Sequence, residues 1–149
     1  MMGQSVASLD VPVTKGGAGV LVFRGEDKVA CRIGDAQLLA QVSQAQQALS
    51  ALGIVAGDRV AAYVPNLPEA IVAMAGAASL GAIWSSCSPD FGVQGVLDRF
   101  GQIEPTVLVT CDGYYYGGKA FSSIDKLPAI LATLPSVKAA SPVPYPRSA

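Results

Sequence analysis

Histidine is missing from all 149 residues. Its absence excludes Ser-His-Asp and Cys-His nucleophilic catalysis, histidine proton shuttling and most zinc sites. Cysteine is scarce as well: Cys31, Cys87 and Cys111 have no paired spacing and offer neither a disulfide framework nor a metal knuckle. They are expected to be free, mostly buried thiols. With no basic-led apolar leader opening the chain, a reducing, cytoplasmic setting is expected. Charged residues make up only 14% of the chain and the net charge is −1, so nothing attracts a polyanion and nucleic acid is not an expected partner.

Charge is absent altogether between Ala70 and Pro89. A window of that length raises the question of a membrane span. Ser and Gly interrupt it, many of its apolar residues are Ala, and neither flank has a Lys/Arg cluster, so no membrane is expected. Ala73, Ala75, Gly76, Ala77 and Ala78 instead read as a slim helix able to lie close on a sheet, ended by Gly81 and followed by a strand over Ala82 to Ser86.

Around that helix the chain organises itself. Val60, Ala62 and Val64 lie in an apolar run of the kind found in strands covered on both faces. Asn66 is expected to cap the following helix, with Glu69 three residues on as in a capping box and Pro68 in the first turn. Val93, Val96, Leu97, Phe100 and Ile103 form a second helical stripe, with Asp98, Arg99 and Glu104 facing away, before Pro105 and a strand at Val107 to Val109. The order strand, helix, strand, helix, strand implies a parallel sheet with flanking helices, an α/β fold.

Upstream, residues 1–19 read as a flexible segment. Their Lys15-Gly16-Gly17 run does not match the order of a phosphate loop. Val20 to Phe23 and Val29 to Ile33 read as a hairpin around a polar turn. Asp35 is expected to cap a helix with Leu38, Leu39, Val42, Ala45, Leu49 and Leu52 inward, Gln41, Gln44 and Gln47 mostly outside, and Gly53 closing it. Downstream, Asp125 is expected to cap a helix bearing Leu127, Ile130, Leu131 and Leu134. Pro142, Pro144 and Pro146 make residues 139–149 read as a divergent or disordered tail, because a central strand cannot accept them.

Gly113-Tyr114-Tyr115-Tyr116-Gly117-Gly118-Lys119-Ala120 nearly spells a Walker A loop. Ala120, however, stands where a Mg²⁺-binding Ser or Thr is required, and three tyrosines do not suit a turn that works by exposing backbone N–H groups. A tyrosine-rich hairpin over the end of the sheet is the preferred reading. Asp58, Arg59 and Glu69 read as structural charges, and no pair of carboxylates is set for acid–base work.

GDRVAAYVPNLPEA followed by AGAASLGAIWSSCSPDFG resembles the N-terminal part of the AMP-forming acyl-CoA synthetases, in the adenylate-forming superfamily. The wording AIWSSCSPDFGVQGVLDRFGQIEP is similar to the acetoacetate-using branch more than to the acetate-using one. The resemblance covers residues 20–138 and implies a partial N-terminal subdomain of the large domain, a fragment of a chain several times longer. It also implies that the full-length family uses ATP, Mg²⁺ and coenzyme A, activating a short-chain keto acid through an acyl-adenylate.

Within that resemblance, the loops matching Ser88-Pro89-Asp90 and Tyr116 to Lys119 lie near the coenzyme A nucleotide. Lys119 keeps a positive charge that can pair with a CoA phosphate, though it can equally be a solvated loop lysine. Tyr116 departs from the basic residue common at its place, and Asp90 can serve simply as a helix cap. No residue here is expected to be catalytic and no metal is expected. The TSGTTG-type phosphate loop, the ribose acid and the C-terminal lysine of the family find no counterpart in this sequence.

The expectation is therefore a piece of a ligase, from a truncated or split gene, inactive alone. Alternatives are a stand-alone module binding CoA or an adenine nucleotide, and one half of a split ligase. Interrupted sheets expose edges, so self-association is expected unless a complementary chain covers them.

Overall fold

A computed structural model describes residues 21–25 and 30–143. The leading segment expected over residues 1–19 lies outside the described residues, as does most of the polar turn after Arg24. Strands β1 (Leu21–Arg24) and β2 (Ala30–Ile33) form the antiparallel hairpin read from the sequence. Helix α1 (Asp35–Ala51) follows, ended by Gly53 at φ +89°, a left-handed position that glycine occupies without strain.

The central sheet has the order β4-β3-β5-β8, with every neighbouring pair parallel. Strand β3 (Arg59–Tyr63) is buried over Val60 to Tyr63, as its apolar run requires for a strand covered on both faces. Helix α2 (Pro68–Ser79) leads to β4 (Ile83–Cys87), and helix α3 (Val93–Phe100) leads to β5 (Val107–Cys111). One face of the sheet packs Val60, Ala62, Val107 and Val109 with Leu49 of α1 and Ala77 of α2. The other packs Ala61, Tyr63 and Leu108 with Val96 and Phe100 of α3 and with Ile130 of α4 (Leu127–Thr133). This is a three-layer α/β arrangement.

After β5 the chain forms a ribbon of β6 (Gly113–Tyr116) and β7 (Lys119–Ser122), antiparallel, with Tyr116 opposite Lys119. Gly117 and Gly118 make the turn at φ +59° and +76°, the pair of positive values that a two-residue hairpin turn matched to strand twist demands. The near-Walker segment is thus a hairpin, with Tyr114 stacked on Phe121 at 5.2 Å between ring centres.

Several local expectations are corrected. The position before α2 is Leu67, extended and without a side-chain cap, while Asn66 lies one residue further out. Pro68 opens the helix and needs no N–H partner there, and Glu69, in the first turn of α2, is buried. Asp35 is the first residue of α1, after Gly34, and its Oδ1 accepts from the Ala36 N–H at 2.8 Å. Gln41 is buried against expectation, because the stripe that turns inward on α1 is Gln41, Ala45 and Leu49. Asp125 lies in a 3-10 turn (Ile124–Lys126), with Lys126 at the cap position of α4.

The disordered-tail reading is corrected over its first part. Residues Ala139–Val143 form β8, parallel to β5 from Val107↔Ala139 to Cys111↔Val143. Pro142 is accommodated because β8 is an edge of this sheet, where a missing N–H need not break a ladder on both sides. Residues 144–149 lie outside the described residues. No helix among the described residues is long and apolar enough to cross a membrane; the uncharged window from Ala70 to Pro89 is divided between α2, a turn and β4.

Candidate functional site at the carboxyl ends of the strands

Helix α2 leaves β3 on one face of the sheet, while the chain leaving β5 passes through the ribbon to α4 on the other. Neighbouring strands whose exits diverge in this way open a crevice at their carboxyl ends, the place where open α/β sheets take ligands. A cleft of about 460 Å³ lies there. Val64, Pro65 and Asn66 after β3, Ser86 to Asp90 at the end of β4, Tyr114 to Tyr116 of the ribbon, and Phe23 to Gly25 at the end of β1 line it.

The loop bearing Asp90 is held from beneath. Tyr63 ends β3 fully buried, and its hydroxyl lies 2.6 Å from the Pro89 carbonyl and 2.7 Å from that of Phe91. A phenol has one proton to give, and Lys126 Nζ also donates to the Pro89 carbonyl at 3.3 Å, so the carbonyls flanking Asp90 are satisfied between two donors. Burial raises the Tyr63 pKa well above the usual phenol range, with the neighbouring Cys87 thiol adding to it. The hydroxyl therefore stays a donor throughout the ordinary pH range. Phe91 is fixed in turn by the Arg99 guanidinium, 4.5 Å above its ring.

Asp90 is exposed and is not a helix cap, since the residue before α3 is Gly92. Its charge nonetheless reaches into the cleft, adding to the upward shifts of Tyr63, Cys87 and Tyr114. Burial pushes the Cys87 thiol up to about 11, against a downward pull from Arg99. All three cysteines are free and buried, as expected. Cys87 is thus an unreactive wall of the cleft and not a nucleophile.

Of the sequence-derived candidates, Asp90 and Tyr116 come together on this cleft. Lys119 does not line it; it faces Tyr116 across the ribbon on an exposed strand. Ser88 lines the cleft too, in the loop that the resemblance assigned, while Arg24, Asn66 and Ser86 add a guanidinium, an amide and a hydroxyl that the sequence reading did not assign to the site. Arg24 carried no signal, because nothing in its local pattern says that the end of a separate hairpin folds over the exits of β3 and β4. Arg59, read as structural, bonds the carbonyls of Ile103 at 2.7 Å and Glu104 at 3.1 Å. Those bonds steady the positive φ of +50° at Glu104. Among the described residues no group of His, Cys, Asp and Glu side chains could hold a metal ion.

The family model described as "AMP-binding enzyme" matches residues 14–145, so the chain belongs to the AMP-binding enzyme family. The relatives are more particular. The chain is 58% identical over 119 residues to the acetoacetyl-coenzyme A synthetase of Rhizobium meliloti (strain 1021), covering 80% of this chain and 18% of that one. It is 45% identical over 109 residues to the acetoacetyl-CoA synthetase of Macaca fascicularis, covering 73% of this chain and 16% of the other. The solved structure of acetoacetyl-CoA synthetase from Streptomyces lividans superposes with a TM-score of 0.82 at 40% identity, over 88% of this chain and 21% of that chain. The chain therefore spans about a fifth of the length of these relatives and resembles a fragment of an acetoacetate-CoA ligase.

Proposed function

We propose that this chain supplies the N-terminal scaffold of an ATP-dependent acetoacetate-CoA ligase and performs no thioester synthesis alone. The carrying observation is 58% identity confined to 18% of the Rhizobium synthetase. The overall reaction joins a keto acid to AMP with release of pyrophosphate, then passes the acyl group to the CoA thiol. The phosphate loop and the lysine that the family chemistry calls for are not among these residues. What the chain does carry is a wall: the cleft at the strand ends, its Asp90 loop fixed by Tyr63 and Lys126, and the tyrosine ribbon above it.

In this reading the cleft and ribbon receive the nucleotide part of coenzyme A. Lys119 at the ribbon tip pairs as a point charge with a phosphate, while Tyr116 and Asp90 line the approach. Residues 20–138 act as a partial N-terminal subdomain after a leading segment of residues 1–19, in a cytoplasmic protein. ATP and Mg²⁺ belong to the complete ligase.

The test follows pyrophosphate with ATP, acetoacetate and CoA. The purified chain is expected to give no steady release above blank, and continuous turnover by the chain alone overturns the reading. Joined to the remainder of the Rhizobium synthetase, the chain is expected to support turnover. There Lys119→Ala should raise KM for CoA roughly tenfold, the loss of one charge-assisted contact, and leave KM for ATP unchanged.

A further inference from the structure

The helical part of the uncharged window, α2, does not line the cleft, and its outward face differs from that of α3 across the sheet. Helix α2 buries Val72, Ala73, Gly76 and Ala77 against α1 and the sheet. Its opposite face carries Ile71, Met74 and Ala78, three and four residues apart, with Ile71 41% and Met74 39% exposed. Helix α3, on the other side of the same sheet, presents Gln94, Asp98 and Arg99 outward, with Gln94 bonded to Asp98 at 2.8 Å. One helix is finished for water. The other, between Glu69 in its first turn and Ser79 at its end, is apolar on its outward face as well, the pattern of a helix with protein on more than one side.

We infer that the outward face of α2, Ile71 with Met74 and Ala78, is a docking surface for the polypeptide that makes up the rest of an acetoacetyl-CoA synthetase. The inference rests on the scaffold reading and adds to it the face through which the scaffold is joined. The occupant follows from length and area. The Streptomyces synthetase shares this fold over 21% of its own chain, so most of that protein lies beyond the matched part. Two partly exposed side chains and an alanine are far short of the roughly 800 Å² a side that holds two copies together. The partner must therefore bring contacts of its own elsewhere, as a large remainder does. The edge strand β4 begins with Ile83, 55% exposed, a second apolar side chain left uncovered among the described residues.

The experiment co-expresses the full 149-residue chain with the complementary part of the Rhizobium synthetase and measures co-elution by size exclusion. The unmodified chain is expected to co-elute. Ile71→Asp with Met74→Asp should cut the co-eluting fraction at least tenfold, while Asp98→Lys on α3 leaves it unchanged. Circular dichroism of each variant alone checks folding, and Met74→Gln, a milder change, should give an intermediate loss. Absence of co-elution by the unmodified chain, or co-elution indifferent to Ile71 and Met74, overturns the inference. So does a dimer of the chain alone that Ile71→Asp dissolves, since the occupant is then a second copy. Pyrophosphate release is followed on the same samples: a complex that depends on α2 yet turns nothing over upholds the surface and refutes the ligase reading.

Discussion

Tyr63 shows how one side chain joins the core to the site. Its ring is packed among Ala61, Val96 and Phe100, and its hydroxyl sits under the carbonyls on either side of Asp90. Tyr63→Phe keeps the packing and removes the donor, so the expected loss is about 1–3 kcal/mol, read by urea unfolding. A pH prediction follows from the buried thiols and phenol. Burial raises Cys31, Cys87 and Cys111 above their ordinary 9.0, Cys87 to about 11, and raises Tyr63 as well. A group whose folded pKa exceeds its unfolded value stabilises fully below the unfolded value and loses that contribution as pH rises toward the folded one. The contribution of Cys87 to the melting temperature should therefore be level up to about pH 9 and decline between pH 9 and about 11. With no histidine present, no imidazole contributes a step between pH 5 and 8; a melting curve at each pH checks the decline.

At the scale of elements, the seam between α1 and α2 is a close contact. A Cβ on Gly76 would lie 2.9 Å from the Ala45 Cβ and 3.0 Å from the Gln46 backbone nitrogen, which cannot swing aside. Gly76→Ala gains about 1 kcal/mol of helix propensity but forces the helices apart at about 1–3 kcal/mol. A net loss of stability in denaturant titration is the expected result, where an isolated helix would gain. The elements themselves were legible because apolar spacing and glycine stops are local signals: Gly53 and Gly81 do end their helices at positive φ. Cap assignments failed where they rested on side-chain type alone, as with Asn66 and Asp35. Gln41 was misplaced because which stripe of α1 turns inward is set by its packing on α2, where Ala45 meets Gly76. Its amide is buried with no hydrogen-bond partner among the described residues, an outcome that helical spacing counts against. Pro142 misled for a similar reason, since whether a strand lies at an edge depends on the order of the whole sheet.

For the molecule as a whole, a parallel sheet of four strands with two open edges among the described residues is a poor thing to leave in water. Sedimentation of the isolated chain is expected to show association that rises with concentration. Ile83→Lys, placing a charge at the exposed start of β4, should lower the associated fraction without loss of helix content. A monomer at high concentration in the unmodified chain would contradict this. Half of the candidate site was legible at this scale too: Asp90 and Tyr116 came from family resemblance, whereas Arg24 reaches the cleft only through the placing of a separate hairpin.

The contrast between α2 and α3 gives the molecule a front and a back. A fluorophore or purification handle attached through Gln94 on α3 rides on a surface already dressed for solvent, and assembly should proceed past it. The same attachment at Met74 should sit in the path of an arriving partner and slow its assembly onto this chain.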